Sequence, residues 1–226
     1  MNSFTILITF LRDRTLFLEE IQKAIELEEK IFALLICNSV FFAIYGSIIG
    51  SYHSWMQMLS SAIKLPALYL LTLIICLPTL YFFDIISGSK FNFSQYFALL
   101  LSAMSVISVM LFGFAPVTLF FRLSANDYYF FAFLNIVIFT ITGIIGVNFF
   151  YQSVLKMPSQ DVELPQYRKN VIRSWLILYG FVGSQLGWTL RPFFGSPEKP
   201  FALFRKIESN FYLHIIQVIG KILGVN

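Results

Sequence analysis

Four stretches of this chain, residues 31–50, 65–86, 94–121 and 128–151, carry no Asp, Glu, Lys or Arg in their middles. That feature constrains the fold before any other. A helix rises about 1.5 Å per residue and a bilayer's hydrocarbon core is about 30 Å thick, so about 20 apolar residues suffice to cross. A charge at the centre of such a helix costs about 2.5–3.5 kcal/mol or more. The pattern predicts an all-α integral membrane protein with four transmembrane helices. Composition agrees: 58% of the residues are hydrophobic and 12% charged, about half the charged share of an average soluble domain.

A fifth block, 171–190, is shorter and less apolar. Arg173 interrupts its start, Gly180, Gly183 and Gly187 notch it, and Gln185 lies within it. Pro158 and Pro165 precede it, while Arg191, Pro192, Gly195, Ser196 and Pro197 follow. Proline and glycine at such positions punctuate helices. Two readings stand: a short fifth transmembrane helix, or a re-entrant segment that dips and returns.

The ends of the chain are amphipathic. Residues 1–30 are expected to form an N-terminal cytoplasmic helix capped by Thr15, with Glu19 and Glu20 near its positive end. Phe17, Ile21, Ala24 and Ile25 would oppose Glu19, Lys23, Glu26 and Glu29, and the helix could continue into the first span. Residues 3–11 are apolar, but no basic residue precedes them and Arg12-Asp13-Arg14 closes them, so a cleaved signal peptide is not expected. Residues 31–190 form the bundle. In 191–226 an aromatic and basic loop leads to a helix with Asn210, His214, Gln217 and Lys221 on one stripe, suited to the membrane interface.

Basic residues favour cytoplasmic loops. The N-terminal segment with the second and fourth connections holds nine of them, and the first and third connections hold only Lys64 and Arg122. A fifth crossing makes the balance nine against seven; a re-entrant fifth block makes it fourteen against two. The charge rule thus favours re-entry and a cytoplasmic N-terminus.

Chemistry-bearing patterns are sparse. The histidines His53 and His214 stand apart, Cys37 and Cys76 lie in apolar blocks, and no metal, cofactor or nucleophile motif is present. Lys and Arg do not cluster as a nucleic-acid-binding face requires. The expectation is a chain that is not an enzyme, with no cofactor, no metal and no nucleic-acid partner. Asp84, ending the second block, is the acid nearest the membrane interior. Pro78 and Pro116 should kink or end their helices. Gly46 with Gly50, and Gly183 with Gly187, form Gly-x-x-x-Gly pairs, the spacing that lets helices approach closely. Ser102, Ser105 and Ser108 form a small polar strip, and Gly143 and Gly146 notch the fourth block. Asn38, Asn135, Asn148 and Gln185 are expected to face other helices, as a polar path or as single hydrogen bonds. Trp188, Arg191, Phe193 and Phe194, extended by Arg205 and Lys206, combine cations and aromatics as a contact for a partner or a lipid headgroup would.

Leu77-Pro78, Gly88-Ser89, Ala115-Pro116 and the 187–197 stretch resemble a family of bacterial, notably cyanobacterial, multi-pass membrane proteins with Yip1-type hydropathy. The likeness covers roughly residues 60–210 and carries no assigned activity or site residues. It implies a small helical bundle in a bacterial inner membrane or a thylakoid. The functional expectation is an accessory or organising subunit that binds lipid, a membrane protein partner or a second copy of itself. The alternative is a channel or transporter for a small or lipidic solute, which predicts a polar path or an apolar lateral cleft between helices. A headgroup-level enzyme would need Asp84, Asp127 and Arg191 to converge.

Overall fold

The computed structural model describes residues 2–124, 127–156, 166–195 and 200–205. Among these the fold is all-helical: α1 Ser3–Arg12, α2 Arg14–Gln22, α3 Leu27–Gly50, α4 Trp55–Ile86, α5 Phe93–Ser124, α6 Tyr128–Lys156 and α7 Gln166–Thr189. Four of them, α3 to α6, are long and apolar enough to cross a membrane. The amphipathic helix expected after Ser209 lies outside the described residues, as does Lys206.

Helix α5 is the centre of the bundle. Of its most apolar window 67% is buried, against 28% for α6. It runs parallel to α3, as three contacts at successive levels show. Asn38 Nδ2 donates to the Leu101 carbonyl (3.0 Å), the Tyr45 and Thr118 hydroxyls meet at 3.2 Å, and Arg122 Nη2 donates to the Ser51 carbonyl (2.9 Å). The polar atoms are paired across helices because an unpaired one in hydrocarbon costs several kcal/mol.

Helix α4 returns antiparallel to α3, and glycine permits the approach. A Cβ at Gly46 would overlap the Ser61 carbonyl oxygen, and one at Gly50 would lie 2.8 Å from the Ser61 Cβ. Phe42 and Tyr69 stack farther down the seam at 4.1 Å between centroids. Helix α4 starts at Trp55 rather than Leu65, so the first connection is only 51–54 and Lys64 lies inside the helix. The prolines end nothing: Pro66 and Pro78 lie within α4 and Pro116 within α5.

The N-terminal segment departs from expectation twice. Asp13, not Thr15, caps the second helix, its Oδ1 accepting from Leu16 N at 3.0 Å. The helix also does not continue into the first span. Ala24 and Glu26 adopt φ of 54° and 48°, a left-handed turn that breaks it. Helix α1 instead folds back along α3, with the Cys37 thiol 3.5 Å from the Ser3 carbonyl oxygen. Lys30, left buried beneath the turn, pairs with Glu20 at 3.2 Å and donates to the Ile25 carbonyl at 2.7 Å.

Helix α7 is one unbroken helix of 24 residues. It runs antiparallel along α4, meeting Asp84 at its own beginning and Gln57 just beyond its end. A segment that dipped and returned could not hold that register, so the re-entrant reading does not describe it. If α7 were to cross alongside α4 with the tail on the far side, the basic residues would divide nine against seven. Charge counting then says little about orientation.

Candidate functional site

Helix α7 is held to α4 at three levels. At the lower end Arg168 grips Asp84 through two hydrogen bonds, Nε to Oδ1 at 2.6 Å and Nη2 to Oδ2 at 2.7 Å. The Tyr96 hydroxyl donates to the same carboxylate, and the Ser89 hydroxyl lies 3.1 Å from Arg168 Nη2. At mid-height Trp175 Nε1 donates to the Cys76 carbonyl at 3.0 Å. At the upper end the chain leaving α7 folds onto the first turns of α4. Gln57 Nε2 donates to the Pro192 carbonyl at 2.8 Å, Ser61 to the Phe193 carbonyl, and Lys64 Nζ to the Leu203 carbonyl. Lys64 Nζ also lies 4.7 Å from the Phe204 ring centroid. Gly195, at φ 70°, passes His53 so closely that a Cβ would lie 2.6 Å from the His53 Cβ.

Helix α6 packs on α5 instead, where the Ile107 side chain fills the notch at Gly146. It touches α7 near the lower end. There the Phe150 and Trp175 rings lie 5.5 Å apart, and Arg173 Nε donates to the Tyr151 hydroxyl at 2.9 Å. Above that point α6 and α7 part. The gap is a lateral cleft of about 1130 Å³.

Leu65, Leu68, Tyr69 and Thr72 of α4, with Ile107 of α5, form the cleft's floor. Gly143 on α6 and Gly180 and Gly187 on α7 widen it, since a Cβ at any of them would meet nothing within 4 Å. The mouth opens sideways, where the lining residues Ile136, Ile144 and Ile177 are 55%, 64% and 76% exposed. Below, Tyr151 and Arg173 close the cleft; above, Trp188, Phe193 and Phe194 close it. Phe194 reaches across to Phe131 of α6, ring to ring at 6.4 Å. Among the described residues Arg173 is the one charged side chain in the lining.

The residues singled out in the sequence thus separate. Gly46 and Gly50 bring two helix backbones together, whereas Gly183 touches only the Thr72 side chain, at 3.5 Å, and Gly187 faces the cleft. The second glycine pair is therefore no helix clamp. The Arg191 Cζ lies over Trp188, 3.5 Å from the ring centroid. Phe193 and Phe194 are half-buried on the bundle, and Arg205 N donates to the Arg191 carbonyl at 3.4 Å. Asp84 is sealed by Arg168 at the end of α4 opposite Arg191, so the three groups needed for a headgroup-level enzyme do not converge.

The polar residues make closed pairs rather than a path. The Ser108 hydroxyl donates to Asn38 Oδ1 at 2.9 Å and Tyr45 to Asn135 Oδ1 at 2.7 Å, while Ser102 and Ser105 bond back to their own helix. Asn148 lines the cleft. Sequence reasoning missed Arg168, which it took for a loop charge. A lone acid at the end of an apolar block was the available signal that a cation must come to it. Comparison with protein-family models finds no match, and neither do comparisons with curated proteins and with solved structures.

Proposed function

We propose that this protein is a non-enzymatic membrane protein that binds a lipid in the cleft between α6 and α7. The observation that carries the reading is the cleft itself: about 1130 Å³, apolar, opening sideways and closed at both ends. Its size exceeds the roughly 300–1,000 Å³ of ordinary ligand pockets. An apolar lining holds water poorly, and the exposed isoleucines at the mouth place the opening where a bilayer's chains would lie. A transmembrane helix from another protein would have to leave through both ends, which the Tyr151–Arg173 contact and the Phe193–Phe194 loop obstruct. A channel for a polar solute draws no support from the closed hydrogen-bonded pairs of Asn38 and Asn135.

Lipid binding joins the two functions expected from the sequence: an organising subunit that holds lipid, and a carrier of a lipidic solute. The resemblance to bacterial multi-pass proteins supports a bacterial inner membrane or thylakoid as the setting. The test is native mass spectrometry of the full chain released from mild detergent, together with G143F and G180F variants that fill the cleft from opposite walls. Wild-type protein is expected to retain about one lipid per chain and the variants to lose it at unchanged melting temperature. Lipid-free wild-type protein, or variants that retain lipid equally, would sink the reading; a stoichiometric protein companion would move the organising role ahead.

A further inference from the structure

The lining of the cleft also indicates which kind of lipid suits it, an inference that rests on the lipid-binding reading above. We propose that the occupant carries a phosphate headgroup, held at Arg173, with its tail running up the cleft toward Trp188.

Three observations meet at Arg173. Among the described residues it is the only charged one in the cleft's lining, and no described Asp or Glu accompanies it there. Its position is set by Tyr151, which accepts from Nε at 2.9 Å and lies beneath the guanidinium at 5.4 Å from ring centroid to Cζ. Both terminal nitrogens are left without a partner among the described residues. A guanidinium fork of this kind matches a phosphate through two parallel hydrogen bonds. Asn148, one helical turn from Tyr151, brings an amide to the same end of the cleft.

The depth fits as well. Helix α4 has 32 residues, about 48 Å of helix, so about 9 Å extends past a 30 Å hydrocarbon core at each end when it is centred. Arg168 is level with Asp84, three residues from the C-terminal end of α4 at Ile86 counting both. Arg173 lies five residues farther along α7, a rise of about 7.5 Å. That sets its guanidinium near the boundary between headgroups and hydrocarbon, where a cation meets phosphates without the penalty of mid-membrane burial. From Arg173 to Trp188 the helix rises about 22 Å, more than the ~15 Å of one leaflet. The cleft therefore holds a full tail, with the aromatic ceiling at its far end.

The experiment compares dioleoyl phosphatidic acid with dioleoylglycerol, which has the same tails and no phosphate. Each is titrated in detergent onto delipidated full-length protein and followed by native mass spectrometry. Wild-type protein is expected to favour the phosphatidic acid by about tenfold or more, the scale of a charge-assisted hydrogen-bond pair. R173Q is expected to bind both lipids alike, and R173K to keep part of the preference. Equal binding of the two lipids by wild-type protein, or an undiminished preference in R173Q, would overturn the headgroup assignment while leaving the cleft reading intact. Binding of neither lipid, or binding that survives in G143F and G180F, would remove the cleft reading itself.

Discussion

Glycines lie at two places in this bundle, the α3–α4 seam and the α6–α7 cleft, and do opposite things there. At the α3–α4 seam, Gly46 and Gly50 meet Ser61 and the neighbouring backbone of α4 so closely that no side chain fits between. Between α6 and α7, Gly143, Gly180 and Gly187 face open space. The difference lies in the facing helix. Helix α4 presents small residues, Ser61 and Ala62, opposite the glycines of α3, so the backbones can close. Helix α7 is fixed to α4 by Arg168, Trp175 and the returning loop, while α6 is fixed to α5. Tyr151 and Arg173 join these two walls at the lower end. A missing side chain makes a seam only where a second surface arrives to use the room; elsewhere it makes a cleft. In a bilayer, where lipid tails are as apolar as the side chains, no hydrophobic drive closes such a gap.

The contrast can be broken most severely at the bond that fixes α7. Arg168→Leu leaves Asp84 buried without its partner and is expected to cost about 3–5 kcal/mol, read as a large drop in melting temperature in detergent. The double variant Arg168→Leu with Asp84→Leu should recover most of the loss, because no charge remains to be neutralised. A single variant as stable as wild type would mean that α7 is held elsewhere. Next in size is the pair of glycine substitutions. Gly46→Leu drives a side chain into the Ser61 backbone, which cannot yield, and should destabilise by about 3 kcal/mol or more. Gly187→Leu, facing the cleft, should change stability by less than about 1 kcal/mol. Equal effects at the two positions would erase the distinction between seam and cleft. An effect smaller than that of Gly46→Leu is expected at the polar contact between α3 and α6. Tyr45→Phe removes the 2.7 Å hydrogen bond to Asn135 and should cost about 0.6–1.7 kcal/mol, the range for interhelical hydrogen bonds in membranes. The same thermal melts measure it.

Much of the architecture was legible because single-helix energetics decide it. The long uncharged runs required membrane-crossing helices, and α3 to α6 are those helices to within a few residues, except for the ten-residue N-terminal extension of α4. That extension was hidden because Gln57, Ser60, Ser61 and Lys64 read as loop; all four are buried, and Gln57, Ser61 and Lys64 bond to the returning loop instead of water. The break at Ala24 and Glu26 was invisible for a related reason. Neither residue is a helix breaker, and the turn forms so that α1 can bury Ile6, Leu7 and Phe10 against the bundle.

The sequence by itself determined that the chain is a helical membrane protein, and it marked Gly46 and Gly50 as a place where helices meet. Those features follow from the cost of moving each residue out of water, a property local to its own helix. Only the tertiary structure decided that Arg168 belongs to Asp84, that α7 runs the length of α4, and that α6 and α7 stand apart around a cleft with Arg173 at its rim. Each of these depends on which surfaces face each other across distant parts of the chain. Pairing energy and packing shape settle that choice, and the order of residues along one helix does not contain them.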